Sequence, residues 1–480
     1  MSDRISTRAD DRAWTTEQFD RNQSLVSLSD MQLFQARATR GGPVRTESII
    51  DQSGGIDFGS LDALYTAAPQ EIRTNGATRI NAPQELRISS TGEIGANSPA
   101  ELGASTPADR QIQGRTPPPE SIRETAAPIP VTDEDLAARR TALTNEISRM
   151  PRQMARDITE SMRVLENRTP PLSNEQIAGV YEATQRLLQD RNRTSPLTLA
   201  QRQLLATGIL DNAARPSEID QGRHETCNVT VLEERLNTLN PARAAAIVAE
   251  VGLTGSFTST PGFRPTLDRT SLLPDSEARV LPSNGDGLRN YASQIFDVAV
   301  LNDFYQRGNP NVRYVQRDMR AMANPDAMAP TGEGIVISDN DRVSPAAARA
   351  ARRFIGMNLP RINRMGESLG LGENYIIGHS RAGDAHAADG TTVVSNVREL
   401  AQALERARAT NNFPIVLGVE ADGPMFRNRN MRGAHVLSVT GYNPETQTVQ
   451  ISNQWGRQQD LQNVPLQDLH DSMFTNKPRR

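Results

Sequence analysis

The chain has 480 residues, enough for several domains, and 36% of them are hydrophobic, which is low for a fully packed protein. Its net charge of −4 gives no overall basic surface for nucleic acid. No run of about 18 apolar residues is present, so we expect no membrane span. A single cysteine excludes an intramolecular disulfide and fits a reducing compartment.

Residues 1–130 are dominated by Ser, Thr, Gly, Pro, Ala, Arg and Glu and have only short apolar periodic runs. Such a composition buries too little apolar surface to offset the entropy of ordering the chain. The sequence therefore predicts a disordered tail, acting as a linker or as a docking or secretion segment. No apolar h-region follows Met1, so we expect a cytoplasmic protein or one exported without a cleavable signal peptide.

Residues 131–215 show helical periodicity. A helix-start signal at Thr132 precedes apolar residues at helical spacing as far as Met150. Further helices are predicted over Asn174–Gln189 and about 197–213. We predict a small helical domain, which is either a packing unit or a segment that gates a site.

Residues 216–480 mix helical and strand patterns, which predicts an α+β domain. One helix is predicted over Asn228–Leu239, and the next begins at Pro241 and ends before Gly252. Additional elements are expected, with helices at about 291–305 and 396–409 and strands at about 333–338, 374–377 and 413–419. The clearest pattern is a hairpin whose strands are 434–442 and 448–453.

Four residues supply a complete set of groups for thiol chemistry. Cys227 stands where a helix begins, and a helix N-terminus favours the thiolate. Gln221, six residues earlier, has an amide that can donate to an oxyanion alongside the Cys227 N–H. His435 and Asn453 lie near the outer ends of the two hairpin strands, so the amide can orient the imidazole. Trp455 follows and can shield that pair from water.

These segments resemble the papain-like cysteine peptidase superfamily. The resemblance lies in Gln-Gly-x-x-x-x-Cys opening a helix, Gly-Ala-His in a strand, and Asn-Gln-Trp-Gly after the hairpin. It implies a papain-like fold, with the nucleophile at a helix N-terminus in an N-terminal helical half and a C-terminal antiparallel β half. It also implies that Cys227 is the nucleophile, His435 the base, Asn453 its orienting residue and Gln221 the oxyanion donor.

The expected function is hydrolysis of a peptide or isopeptide bond in a protein or peptide substrate, without cofactor or metal. Two other functions use the same residues and stay open: an acyltransferase or deamidase, and an inactive papain-like binding scaffold. The region 253–395 matches nothing in the family pattern, so substrate subsites are not predicted. The oligomeric state is not predicted either.

Two other constellations compete less well. Ser380 follows an apolar strand, and Asp422 and His435 would complete a serine hydrolase order, but no helix pattern follows the serine. His379, with Asp384 and His386, suggests a metal site in a polar loop without a third firm ligand. His224, close to Cys227, is a rival base for which no partner is identifiable, so we expect a loop residue.

Overall fold

The described part of the chain is defined by a computed structural model. It comprises residues 72–73, 79–80, 130–189, 195–260, 262–279, 288–316, 332–339, 342–343, 358–382, 390–427 and 433–475. The predicted tail therefore lies almost wholly outside the described residues. Residues 67–130 form a unit of their own, in which Ile72–Arg73 pairs antiparallel with Arg79–Ile80. The other unit contains residues 131–480.

The unit formed by residues 131–480 is a mixed α+β structure. Its helices are α1 (Asp133–Ile147), α2 (Arg152–Glu166), α3 (Asn174–Gln189), α4 (Leu199–Ala214), α5 (Cys227–Leu239), α6 (Pro241–Thr254), α7 (Tyr291–Gly308), α8 (Leu359–Leu369), α9 (Val397–Ala409) and α10 (Leu466–Ser472). Its strands are β1 (Val312–Gln316), β2 (Glu333–Asp339), β3 (Arg342–Val343), β4 (Ile376–His379), β5 (Thr391–Val394), β6 (Ile415–Glu420), β7 (Ala434–Asn443), β8 (Thr448–Ser452) and β9 (Leu461–Pro465).

The predicted helical block is confirmed as helical. Thr132 caps α1 in a capping box with Asp135, which satisfies amides that the first turn leaves without intrahelical partners. The sequence did not anticipate α2, which follows Pro151 and packs against α4. Helix α3 packs against both α4 and α6, and one hydrophobic cluster includes residues on both sides of residue 215. The domain boundary at 215 stays a prediction.

Helix α6 runs beyond the predicted stop at Gly252, and that prediction is wrong. A Cβ at Gly252 would lie 2.7 Å from the side chain of Leu205 and 2.9 Å from that of Leu187. The glycine is therefore there for close packing and does not end the helix. The helix ends at Thr254, and Gly255 caps it with a positive φ of 79°, which glycine adopts without steric cost.

The larger sheet of the described residues has six strands in the order β9-β8-β7-β6-β4-β5. Strands β6 to β9 are antiparallel, including the predicted hairpin of β7 and β8, which is confirmed. Strand β4 pairs parallel with both β5 and β6, so the sheet is mixed and the prediction of an antiparallel half covers only part of it. Helix α9 connects β5 to β6, which is the kind of crossover that parallel strands need.

Helix α7 is buried along almost its whole length, from Tyr291 to Gln306. It contacts the helices α4, α5 and α6 and also β1 of the smaller sheet, whose order is β1-β2-β3. A helix surrounded in this way cannot be amphipathic, and its polar side chains must find internal partners. Asn302 does so by donating to the Tyr314 carbonyl at 2.8 Å.

No helix among the described residues combines the length and apolar character needed to cross a bilayer.

Candidate functional site: a cysteine at a helix start beside a histidine–asparagine pair

Cys227 is the first residue of α5 and is mostly buried. The carbonyl of Thr226 accepts from the amides of Val229 and Thr230, which starts the helix, but the Thr226 side chain makes no capping bond. The helix packs against β7, and the backbone N–H of Val436 reaches the thiol and lowers its pKa. Because Val436 follows His435 directly, the fold brings the sulfur to the start of the strand that carries the imidazole.

His435 and Asn453 form a buried pair. Nε2 of His435 lies 3.0 Å from Oδ1 of Asn453, and both residues are at most 3% exposed. The same Oδ1 accepts from the Trp455 backbone N–H at 3.2 Å, so this atom is the amide oxygen. Nε2 of His435 must then be the donor, which leaves Nδ1 of the neutral ring as the basic nitrogen.

The Trp455 indole covers this pair. Its ring stacks on the His435 imidazole with centroids 3.8 Å apart and planes 18° from parallel. Trp455 is 8% exposed, so the indole excludes water from one face of the imidazole. Removing water strengthens the hydrogen bond beneath it, since the local dielectric falls.

A β-bulge brings the pair together. From the turn, Gln450 pairs with Gly441, but the next residue, Ile451, pairs with Val439, so one residue of β7 is extra. Direct cross-strand partners share a face of the sheet, and alternate residues along a strand do too. Asn453 lies two residues after Ile451, and His435 lies four residues before Val439. Both side chains are therefore on the face that Ile451 and Val439 share. Without the bulge the two side chains would fall on opposite faces.

Gln221 lies in the loop before α5 and is 1% exposed. Its backbone N–H donates to the carbonyl of Gln454 at 2.8 Å, which ties the loop to the segment that carries Asn453. Its side-chain amide donates to the carbonyl of His224 at 2.5 Å. One N–H of the amide is thus used inside the loop, and a primary amide retains a second one.

Burial keeps both reacting groups neutral in this structure. Burial raises the pKa of Cys227 to about 11, and the negative charge of Glu225 adds to the effect, against the backbone N–H groups of Val436 and Asn228. Burial lowers the pKa of His435 to about 4, although the bond to Asn453 opposes this. At neutral pH the pair is therefore a thiol and an uncharged imidazole.

His224 has partners that the sequence did not reveal. Its Nε2 lies 2.9 Å from Oδ2 of Asp275, and its Nδ1 lies 3.4 Å from Oε2 of Glu333. Burial and Arg289 lower the pKa of His224, but the two carboxylates outweigh them and raise it to about 9. The partners are distant in the chain, so no local motif signals them.

His379 and Ser380, from the two competing groups of residues, lie at the end of β4. Ser380 comes directly after β4, and its N–H donates to the carbonyl of Val394. His379 contacts the ring of His470 with centroids 5.0 Å apart. Asp384 and His386 lie outside the described residues. Within the part of the chain that the structure describes, no cluster of three potential metal ligands occurs.

No family profile, curated protein sequence or solved structure matches the chain. The interpretation of this site therefore depends on its own geometry.

Proposed function

We propose that the chain is a papain-like cysteine hydrolase that cleaves a peptide or isopeptide bond through a thioester intermediate. The observation that carries this proposal is the buried bond between His435 and Asn453 under Trp455, beside a cysteine at a helix start. A histidine bound only for packing has no need of a fixed tautomer whose second nitrogen is basic. A histidine that accepts a proton from a thiol needs this tautomer.

The reaction follows from the roles of these groups. Nδ1 of His435 takes the proton of the Cys227 thiol as the sulfur forms a bond to the carbonyl carbon. The Cys227 N–H and the second N–H of Gln221 stabilise the oxyanion. The carbon–nitrogen bond then breaks, and the proton on His435 passes to the leaving amine. Water, deprotonated by His435, hydrolyses the thioester and regenerates the thiol.

Asn453 has a separate task in this mechanism. It accepts from Nε2 of His435 and so holds the ring in one orientation while the charge on the ring changes. Its own side-chain nitrogen is buried and has no hydrogen-bond partner among the described residues. An amide retained at that cost fits an orienting role better than a packing role.

A peptidyl vinyl sulfone library tests the proposal. Attack of the thiol on the vinyl carbon, with proton transfer through the imidazole, gives a stable thioether that intact-mass measurement detects. We expect labelling of the wild type, none of Cys227→Ala, and labelling of His435→Ala slowed by about 100-fold, within the range for a general base. His470→Ala, in a histidine outside the site, is the matched control. An unlabelled wild type, or equal rates in wild type and His435→Ala, would overturn the proposal.

One observation favours a second candidate, a papain-like scaffold that binds without catalysis. The thiol pKa of about 11 and the imidazole pKa of about 4 lie far from the values that suit proton transfer at neutral pH. A scaffold would bind unreactive peptides and show no His435-dependent labelling of Cys227, whereas the hydrolase would show both binding and labelling. Isothermal titration with unreactive peptides of the library sequences, read together with the labelling rates, separates the two functions.

A further inference from the structure

A buried group of charged side chains lies against the loop 219–226, which precedes the nucleophile. We call it the loop network, and its members are His224, Asp275, Arg289, Asp297 and Glu333. All five are at most 8% exposed. They come from separate parts of the fold: the loop itself, the segments before α7, α7, and strand β2.

Both ring nitrogens of His224 face carboxylates. Asp275 is on the Nε2 side at 2.9 Å and Glu333 is on the Nδ1 side at 3.4 Å. A neutral imidazole carries a proton on only one nitrogen, so it would turn a lone pair toward one of these carboxylates. Only the imidazolium donates to Asp275 and also places a positive charge beside Glu333, whose contact with Nδ1 is an ion pair and not a hydrogen bond. The geometry therefore calls for a charged His224.

The balance of charge around His224 also favours the imidazolium. Arg289 pairs with Asp275 at 2.8 Å and with Asp297 at 2.9 Å, so its charge is shared between two acids. A second arginine, Arg223, is at the surface side of the loop and pairs with Glu277 at 3.0 Å. The charged or titratable groups that face His224 or its partners from the surrounding elements include Asp275, Arg289, Glu333, Glu225, Glu277, Asp297, Glu233, Arg223, Tyr305 and Tyr314. Carboxyl groups outnumber arginines in this set, and a protonated His224 reduces the difference.

The loop network holds the backbone around the nucleophile. The N–H of Glu225, two residues before Cys227, donates to Oε2 of Glu333 at 2.9 Å. That oxygen is the one that faces His224. On the other side of the loop, the carbonyl of His224 accepts from the Gln221 amide. One residue thus connects the predicted oxyanion donor to the backbone just before the helix start.

We infer that His224, as a buried imidazolium, is a positioning residue that holds the loop 219–226 in the arrangement that Cys227 and Gln221 need. The effect of His224 on catalysis rests on the proposed function, whereas its effect on the position of the loop does not. Loss of the charge removes a cation that faces the Glu333 carboxylate, weakens the hold of Glu333 on the Glu225 amide and lets the two donors of the oxyanion site move.

The first test compares wild type with His224→Gln by vinyl sulfone labelling. Displacement of a reacting group by about 1 Å costs about 100-fold in rate, so we expect the maximal labelling rate to fall by that factor. The probe concentration at half-maximal rate should change little, since the His224 side chain is buried. His470→Gln is the matched control. Unchanged labelling of His224→Gln would overturn the positioning role.

Removal of one buried charge can also unfold the protein, so a second variant is needed. His224→Gln combined with Glu333→Gln removes both charges of one pair and keeps the volumes. We expect the double variant to fold, as judged by circular dichroism, and to label as slowly as the single variant. A double variant that is folded and labels at the wild-type rate would contradict the inference.

Histidine NMR and amide exchange test the inference without any activity. We expect the His224 resonance to titrate near pH 9. We also expect protection of the Glu225 amide to fall as pH rises through that value. In Glu333→Gln the His224 pKa should fall. If wild type does not label at all, the proposed function fails, and these measurements still decide the inference. A His224 pKa near the ordinary value of about 6.5 would contradict the inference that His224 is a buried imidazolium.

Discussion

His435 and Asn453 share a face of the β7–β8 hairpin because a bulge between Gly441 and Val439 shifts the register by one residue. The bulge turns the side chain of His435 to the side on which Asn453 lies, and the two side chains meet at 3.0 Å. Trp455 then packs over the imidazole. The register of the hairpin therefore sets which way the candidate base faces.

We expect Asn453→Ala to slow vinyl sulfone labelling by about 100-fold, because the ring loses the acceptor that selects its tautomer. It should also lower the free energy of unfolding by about 1–3 kcal/mol, since a buried donor on His435 is left without a partner. Labelling rates and urea unfolding measure the two effects. Asn145→Ala, on the exposed side of α1, is the matched control and should change neither. An Asn453→Ala variant with wild-type labelling would contradict the orienting role.

Alkylation of Cys227 by iodoacetamide should rise steeply with pH. With a thiol pKa of about 11, only about 10⁻⁴ of the sulfur is thiolate at pH 7, and this fraction grows about tenfold per pH unit. Rates measured by intact mass between pH 6 and 10 test this. An alkylation rate that no longer rises with pH above about pH 7 would indicate a resting thiolate–imidazolium pair. It would contradict the neutral thiol and imidazole.

His224 should make stability fall at alkaline pH. Its folded pKa of about 9 is above the ordinary value of about 6.5, so its contribution is fully present below pH 6.5. The contribution is lost as pH rises through 9, because the folded state then gives up a proton that the unfolded state has already lost. Urea unfolding of wild type and His224→Gln across pH 6–10 should show the difference between them narrowing with pH. A constant difference would contradict this assignment.

Gly222→Ala should destabilise the loop before α5. Gly222 has φ of +63°, which side chains avoid, and a Cβ there would lie 2.9 Å from the backbone nitrogen of Arg289. Backbone strain at this φ lowers the free energy of unfolding by about 1 kcal/mol, and the collision with Arg289 of the loop network adds to the loss. Because the loop is displaced, vinyl sulfone labelling of Cys227 should also slow. Gly370→Ala has a similar φ of +80° with open space around it, and isolates the strain. Equal losses of unfolding free energy in the two variants would exclude the collision.

Local patterns were enough for much of the fold. The helix Asn174–Gln189 and the hairpin strands were predicted within a few residues, because apolar spacing and turn residues act over short distances. The incorrect prediction that α6 ends before Gly252 shows the limit of this reasoning. Glycine at residue 252 looks like a stop in the sequence, but its role is set by Leu187 and Leu205, which approach from other helices. Strand β5 and helix α8 were missed in a region without a clear pattern.

The amino-acid sequence by itself determined which groups are available: one thiol, a glutamine six residues before it, and a histidine and an asparagine on two strands of one hairpin. Only the tertiary structure decided how His435 faces Asn453, since one extra residue in β7 changes every face beyond it. It also decided the charge states. Burial acts oppositely on Cys227 and His435, and carboxylates at residues 275 and 333 reverse its effect on His224. A pKa depends on what surrounds a group in space, and most of those neighbours are remote in the chain.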